Sequence, residues 1–119
     1  MPSPLNPFLS VVIPSYNEPA RLRATLGSLA QQRFPPEDVE IIVVDDGSLP
    51  ALASEELRAV AGPFALLLRQ HQDNQGRAKT RNSGIRAARG EVVVFLDGDM
   101  TVEPGFLHAH KSFYQNHEA

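Results

Sequence analysis

Four short apolar runs constrain this chain more than any other feature. They lie at positions 8–13, 39–44, 64–68 and 92–96, and each is followed by a stretch with helical spacing or helix-capping residues. The runs are β-branched and nearly continuous rather than alternating, the pattern of strands buried on both faces. Strands alternating with helices predict a parallel sheet covered by helices on its two sides, a three-layer α/β/α arrangement. Right-handed crossovers and one reversal of winding then set the predicted strand order at 3-2-1-4.

The intervening segments supply the helices. Asn17 is placed to cap a first helix with Pro19 in its first turn, where a missing N–H costs least. Leu22, Leu26, Leu29 and Ala30 repeat along its inner face, with Arg21, Arg23 and Gln32 outward, and Pro35-Pro36 ends it. A second helix is expected over 51–60, closed by Gly62-Pro63. A third spans Gly76 to Arg89, with Ala78, Ile85 and Ala88 inward, basic residues outward and Gly90 as its C′ residue. Phe106, Leu107, His110, Phe113 and Tyr114 mark a last amphipathic helix starting near Pro104. Residues 1–7, with three prolines, read as a disordered lead-in, leaving 8–119 as one domain.

Composition excludes several classes. With 119 residues there is room for one core. The lack of cysteine removes disulfides, thiolate zinc sites and a cysteine nucleophile. The longest apolar runs, Phe64–Leu68 and Val92–Leu96, fall far short of a membrane span, so a cytoplasmic location is expected. A net charge of −3 argues against nucleic acid as a partner. The charge is unevenly placed, however. Six of the eleven basic residues (Arg69, Arg77, Lys79, Arg81, Arg86, Arg89) lie in one segment, whereas acids pair as Asp45-Asp46, Glu55-Glu56 and Asp97-x-Asp99. Such an arrangement suits a phosphorylated small molecule with a metal ion, and equally a solvated basic helix face.

In an open α/β sheet, ligands bind beyond the carboxyl ends of the strands, near the switch in winding. Three of these ends carry polar residues: Pro14-Ser15-Tyr16-Asn17-Glu18, Asp45-Asp46-Gly47-Ser48 and Asp97-Gly98-Asp99. The last sets two carboxylates around a glycine that permits a turn, a hard-oxygen pair for Mg²⁺ or Mn²⁺ on a diphosphate. Read alone, it is more readily an ordinary Asp-Gly turn. An EF-hand is excluded, because Val102 and His108 stand where Gly and Glu are needed. No P-loop or G-x-G-x-x-G follows the first strand. His71, His108, His110 and His117 show no metal-ligand spacing and read as surface or packing residues; Ser15 and Ser48 have no evident His partner.

Taken together, Val11 to Glu18, Ile41 to Ser48, Asn74-x-Gly76 leading to Arg81-Asn82-x-Gly84-Ile85, Gly90-Glu91 and Phe95 to Asp99 resemble the inverting family 2 glycosyltransferases of GT-A, Rossmann-like fold. The likeness runs from about position 9 to 107, with the motifs in the family's order. It implies a donor site for a nucleotide-diphosphate sugar of UDP or GDP type. By that resemblance Pro14, Tyr16, Glu18, Asp45 and Asp46 line the nucleoside pocket, with Asp46 as base contact. Asp97 faces ribose or sugar, Asp99 takes the divalent metal (Mn²⁺ or Mg²⁺), and Arg77, Lys79 or Arg81 assist at the phosphates.

Two positions depart from the family pattern, Met100 where many relatives carry a further Asp and Thr80 where Ala is usual. The family's general base lies well beyond the Asp-x-Asp segment, and Glu103 and Glu118 match nothing in it. The expectation is therefore a donor-binding part whose acceptor half comes from a C-terminal continuation or an oligomeric partner, in the cytoplasm or, in a full-length context, at the cytoplasmic face of a membrane. A non-catalytic nucleotide-sugar binding module is the alternative. A phospho-acceptor receiver domain fits poorly, since its acid pair follows the first strand, and a nucleotidyltransferase lacks its Gly-rich loop here.

Overall fold

A computed structural model describes residues 6–116. The order is β1 (Leu9–Ser15), α1 (Pro19–Ala30), β2 (Val39–Asp45), α2 (Ser54–Val60), β3 (Ala65–Gln70), α3 (Arg77–Ala87), β4 (Val92–Phe95) and α4 (Phe106–Asn116), with a 3-10 turn at Pro36–Asp38 before β2. All strands are parallel and the sheet order is β3-β2-β1-β4, as the crossover rule predicts. Of the expected lead-in, residues 1–5 lie outside the described residues, as do His117 and Glu118, and Pro7 is already buried.

β1 runs through Pro14 instead of stopping before it. The Val12 carbonyl accepts from the Leu96 N–H on the β4 side, and strand alternation turns Pro14 to that same side. The β1–β4 ladder ends at Val12 opposite Phe95, so the proline's missing N–H costs no ladder bond.

The two faces of the sheet are covered unequally. Leu9, Val11, Ile13, Ile41 and Val43 meet Leu22, Leu26 and Leu29 of α1, Leu57 of α2 and Leu107 of α4 in the main core. Val12, Ile42 and Val44 form a smaller core on the other face, beneath Ala87 and Ala88 at the end of α3. That face also buries Glu40, whose carboxylate accepts from the Ser10 hydroxyl (2.6 Å), the Arg89 N–H (2.7 Å) and Arg89 Nε (3.2 Å).

Several local expectations change. Ala78 and Ile85 are exposed; α3 instead buries Thr80 and Gly84, because its backbone lies too close to β1 for larger residues. A Cβ on Gly84 would stand 2.3 Å from Val12 Cγ1. Gly90 is not the C′ residue, since Ala88 caps α3. Gly90 instead packs against Ser10 and donates its N–H to Ser10 Oγ (2.8 Å). Gln32 is buried beyond the end of α1 rather than outward. Its amide donates to the Glu103 carbonyl (2.7 Å) and accepts from the Leu107 N–H (3.2 Å), fixing the start of α4. The α2 helix begins at Ser54, not 51. Phe113 and Tyr114, expected on the inner face of α4, stand about half exposed.

Candidate functional site

A cleft of about 680 Å³ opens at the carboxyl ends of β1, β2 and β4, where the winding reverses. The β1–α1 segment contributes Pro14, Ser15, Tyr16, Glu18 and Arg21; β2 leads into Asp46; the start of α3 brings Asn74, Gly76, Arg77, Thr80 and Arg81; and Asp97, Gly98 and Asp99 close the remaining side. Of the residues singled out in the sequence, Pro14, Tyr16, Glu18, Asp46, Arg77, Arg81, Asp97 and Asp99 meet here. Asp45 and Lys79 do not line the cleft.

The Asp45-Asp46-Gly47-Ser48 turn explains the difference between its two acids. Asp45 is buried, and its carboxylate accepts from both the backbone N–H and the hydroxyl of Ser48, three residues on. Ser48 Oγ accepts in turn from the Asn17 N–H (2.7 Å), and Asn17 Oδ1 accepts from the Leu49 N–H (3.0 Å). Asn17 therefore does not cap α1. It sits at φ 53° and ties the β1–α1 loop to the β2–α2 loop, and Glu18 takes the N-cap position with no side-chain capping bond. Strand alternation sends Asp46 the opposite way. Its Oδ1 accepts from His71 Nδ1 (2.8 Å) and the Gln75 N–H (2.9 Å), and its Oδ2 from the Gly76 N–H (3.0 Å). Burial works to raise the Asp46 carboxyl, but these hydrogen bonds and the adjacent imidazole outweigh it and hold the group below its ordinary value. Gly47, at φ 90°, is required by the same clasp: a Cβ there would meet the Asp73 backbone carbon at 2.9 Å.

His71 is the participant that sequence reading missed. Its Nε2 lies 2.8 Å from Ser83 Oγ, so one imidazole joins β2 to α3. A local signal was present, since His71 directly follows the third apolar strand, at the edge that carries the other motifs. Spacing alone does not pair it with a carboxylate 25 residues away.

Gly98 also has a different reason from the one expected. It does not adopt positive φ; a Cβ on it would lie 2.8 Å from the Pro14 carbonyl oxygen. This contact sets Asp97 and Asp99 against the end of β1. Both are exposed, and Asp99 lies 3.9 Å from Arg21, which also approaches Glu18 at 3.6 Å. Among the described residues no three His, Cys, Asp or Glu side chains gather at one point. Across the cleft, Arg77 follows Gly76 as the first residue of α3, where the helix dipole adds positive charge. Arg81 lies over the Phe95 ring, 4.4 Å from its centroid. Carboxylates and guanidiniums thus line one cleft, a mixture chemically suited to a ligand that carries both hydroxyls and phosphates. No helix among the described residues is long and apolar enough to cross a membrane.

The chain matches known proteins along almost its whole length. The validoxylamine A glucosyltransferase of Streptomyces hygroscopicus subsp. limoneus is 39% identical over 108 residues, which cover 87% of this chain and 23% of the relative. The crystal structure of Staphylococcus aureus TarS 1-349 in complex with UDP-GlcNAc superposes with a TM-score of 0.81 at 32% identity, covering 92% of this chain and 31% of that one. The mannosyltransferase PcManGT from Pyrobaculum calidifontis, in complex with GDP-Man and Mn²⁺, gives 0.80 at 27% identity, covering 92% and 32%. The fold is thus that of the GT-A glycosyltransferases. The chain spans about a quarter of the length of the curated relatives it matches, 27% and 23% for two of them. The profile of glycosyl transferase family 2 matches residues 10–119, and with these likenesses the chain belongs to that family.

Proposed function

We propose that the cleft binds a nucleoside diphosphate sugar together with a divalent cation, as the donor site of an inverting sugar transfer to an acceptor hydroxyl. The observation that carries this reading is the gathering of Asp97, Asp99, Arg77 and Arg81 in one cleft at the switch in winding. Two carboxylates are enough for Mg²⁺ or Mn²⁺, which take one or two protein carboxylates and complete their shell with phosphate oxygens and water. The donor set therefore fits the cation. When bound, the cation would supply charge neutralisation for the departing diphosphate.

The chain's own residues do the rest. Arg77, at the first turn of α3, and Arg81 hold the diphosphate by charge-assisted hydrogen bonds. Tyr16 offers its exposed ring as a stacking surface for the base, and Asp46 Oδ2, with acceptor capacity beyond the Gly76 N–H, takes a base or ribose donor. Asp45 and Lys79 are given no ligand contact. Transfer forms a bond between the acceptor oxygen and the anomeric carbon while the bond to the diphosphate breaks on the opposite face. The acceptor's proton passes to a base outside the residues named here.

Calorimetric titration of UDP and GDP, with and without Mn²⁺, tests the reading. Metal-dependent binding of one of them, weakened at least tenfold in Asp99→Asn, is expected. No binding of either nucleotide in the presence of Mn²⁺ refutes the donor site. Binding by the full-length protein without turnover of any nucleotide sugar favours a binding module instead.

A further inference from the structure

A second pocket, of about 260 Å³, lies on the other side of the Asp46–His71 hydrogen bond. It is lined by Arg69, Gln70 and His71 from the end of β3 and by Ser83, Arg86 and Ala87 from α3. We propose that this pocket is a second ligand site, distinct from the donor cleft, for a small phosphate-class dianion such as inorganic phosphate or a phosphomonoester.

Its lining contains no acid, and its two arginines come from different elements, Arg69 from β3 and Arg86 from α3. Among the described residues no carboxylate lies within ion-pair distance of Arg69 or Arg86. Two unneutralised cations facing one small pocket repel each other, and an anion between them relieves that repulsion. A tetrahedral oxyanion carries more acceptor oxygens and more charge than a carboxylate, enough to meet both arginines at once.

The floor of the pocket is polar and pre-oriented. The Asp46 carboxylate only accepts, so His71 Nδ1 carries a proton toward it. In the neutral imidazole, Nε2 then accepts the Ser83 hydroxyl proton at 2.8 Å. Ser83 Oγ is also within 3.5 Å of Arg86, which donates to it.

The arrangement resembles a nucleophile–base–acid relay, but Ser83 sits inside α3, where backbone N–H groups are already paired within the helix. An oxyanion intermediate would find no backbone donors, so binding rather than acyl transfer is assigned.

The test is nuclear magnetic resonance of the ¹⁵N-labelled chain titrated with inorganic phosphate, with sodium chloride at matched ionic strength as the control. Saturable shifts at Ser83 and Arg86 are expected. Chloride should not reproduce them. Both arginines are exposed, so Arg69→Ala/Arg86→Ala should fold as the parent does and bind phosphate at least tenfold more weakly. The assignment is overturned by shifts that do not saturate, by equal shifts with chloride, by full binding in the double variant, or by shifts confined to Arg77 and Arg81. The last outcome would mean that phosphate enters only the donor cleft. Because the readout uses no nucleotide, failure here leaves the donor-site reading standing, and the reverse also holds.

Discussion

Replacing Gly84 by alanine opposes two effects of different origin. Intrinsic helix propensity favours alanine over glycine by about 1 kcal/mol, so on propensity alone the variant is stabilised. Packing opposes this, because the new Cβ would lie 2.3 Å from Val12 Cγ1 and 3.3 Å from Cγ2, in the close approach between α3 and β1. Carbon atoms prefer separations of about 3.5–4.0 Å, so α3 must retreat by roughly 1 Å or Val12 must leave its rotamer. Neither is easy, as Val12 is fully buried in the smaller core. Overpacking costs about 1–3 kcal/mol, a contact this short falls at about 2–3 kcal/mol within that range, and after the propensity gain of about 1 kcal/mol the net loss is about 1–2 kcal/mol. For a domain of this size that lowers Tm by roughly 3–8 °C.

The same displacement moves Arg77 and Arg81 at the cleft, so nucleotide affinity should fall along with stability. Thermal and urea denaturation followed by circular dichroism give the first quantity, and calorimetric titration gives the second. Val12→Ala removes the two methyl groups that collide, so Gly84→Ala should be harmless or stabilising in that background, with a coupling of at least about 1 kcal/mol between the sites. If Gly84→Ala is as stable as the parent in both backgrounds, the close approach of α3 to β1 is wrong.

Other outcomes follow from the same geometry. Glu40→Ala should destabilise the chain by about 2–3 kcal/mol in urea denaturation, since it strands the Ser10 hydroxyl and the Arg89 backbone N–H, and Glu40→Gln should recover about half of that. The Asp46 carboxyl is held below its ordinary value, so the stability it contributes is present above the unfolded carboxylate range of about 3.9 and is lost as pH falls through the folded value. Asp46→Asn should flatten that acid limb in denaturation curves collected from pH 6 downward (about 2 at the lowest); an unchanged limb would remove Asp46 as its source. Arg21→Ala should tighten Mn²⁺ binding without nucleotide by about two- to fivefold, read by electron paramagnetic resonance, because the guanidinium near Asp99 competes with the cation. Gly98→Ala should weaken metal-dependent nucleotide binding more than it lowers Tm, since the Pro14 carbonyl occupies the place of its methyl group.

Much of the site was legible before the fold. Three polar strand ends pointed to one edge of the sheet, and eight of the singled-out residues do line one cleft there. The two that do not are informative. Asp45 and Asp46 are chemically identical neighbours, and alternation along β2 must send them apart, but only the structure shows that Ser48 claims the first and the loop at 75–76 the second. Lys79 lies among basic residues of one helix, and which of them face the cleft depends on the rotation of α3. The stripe Ala78–Ile85 looked apolar enough to set that rotation; the backbone contact at Gly84 set it instead. Gln32, expected on an outer face, and His71, read as a surface or packing residue, were misplaced for a related reason: each answers a polar group 25 to 75 residues away.

The sequence by itself determined the periodicity of the elements, the parallel sheet and its strand order, because burial pattern and crossover handedness are local or general properties of the chain. It also determined which edge would carry the polar motifs. The tertiary structure decided which groups are spent on holding loops together and which remain facing the cleft. Those choices rest on hydrogen bonds and close backbone approaches between distant segments, at Asp46 with His71, Gly84 with Val12 and Gly98 with Pro14. No spacing within the chain encodes them, since a buried polar atom takes whatever partner the packing brings within about 3 Å.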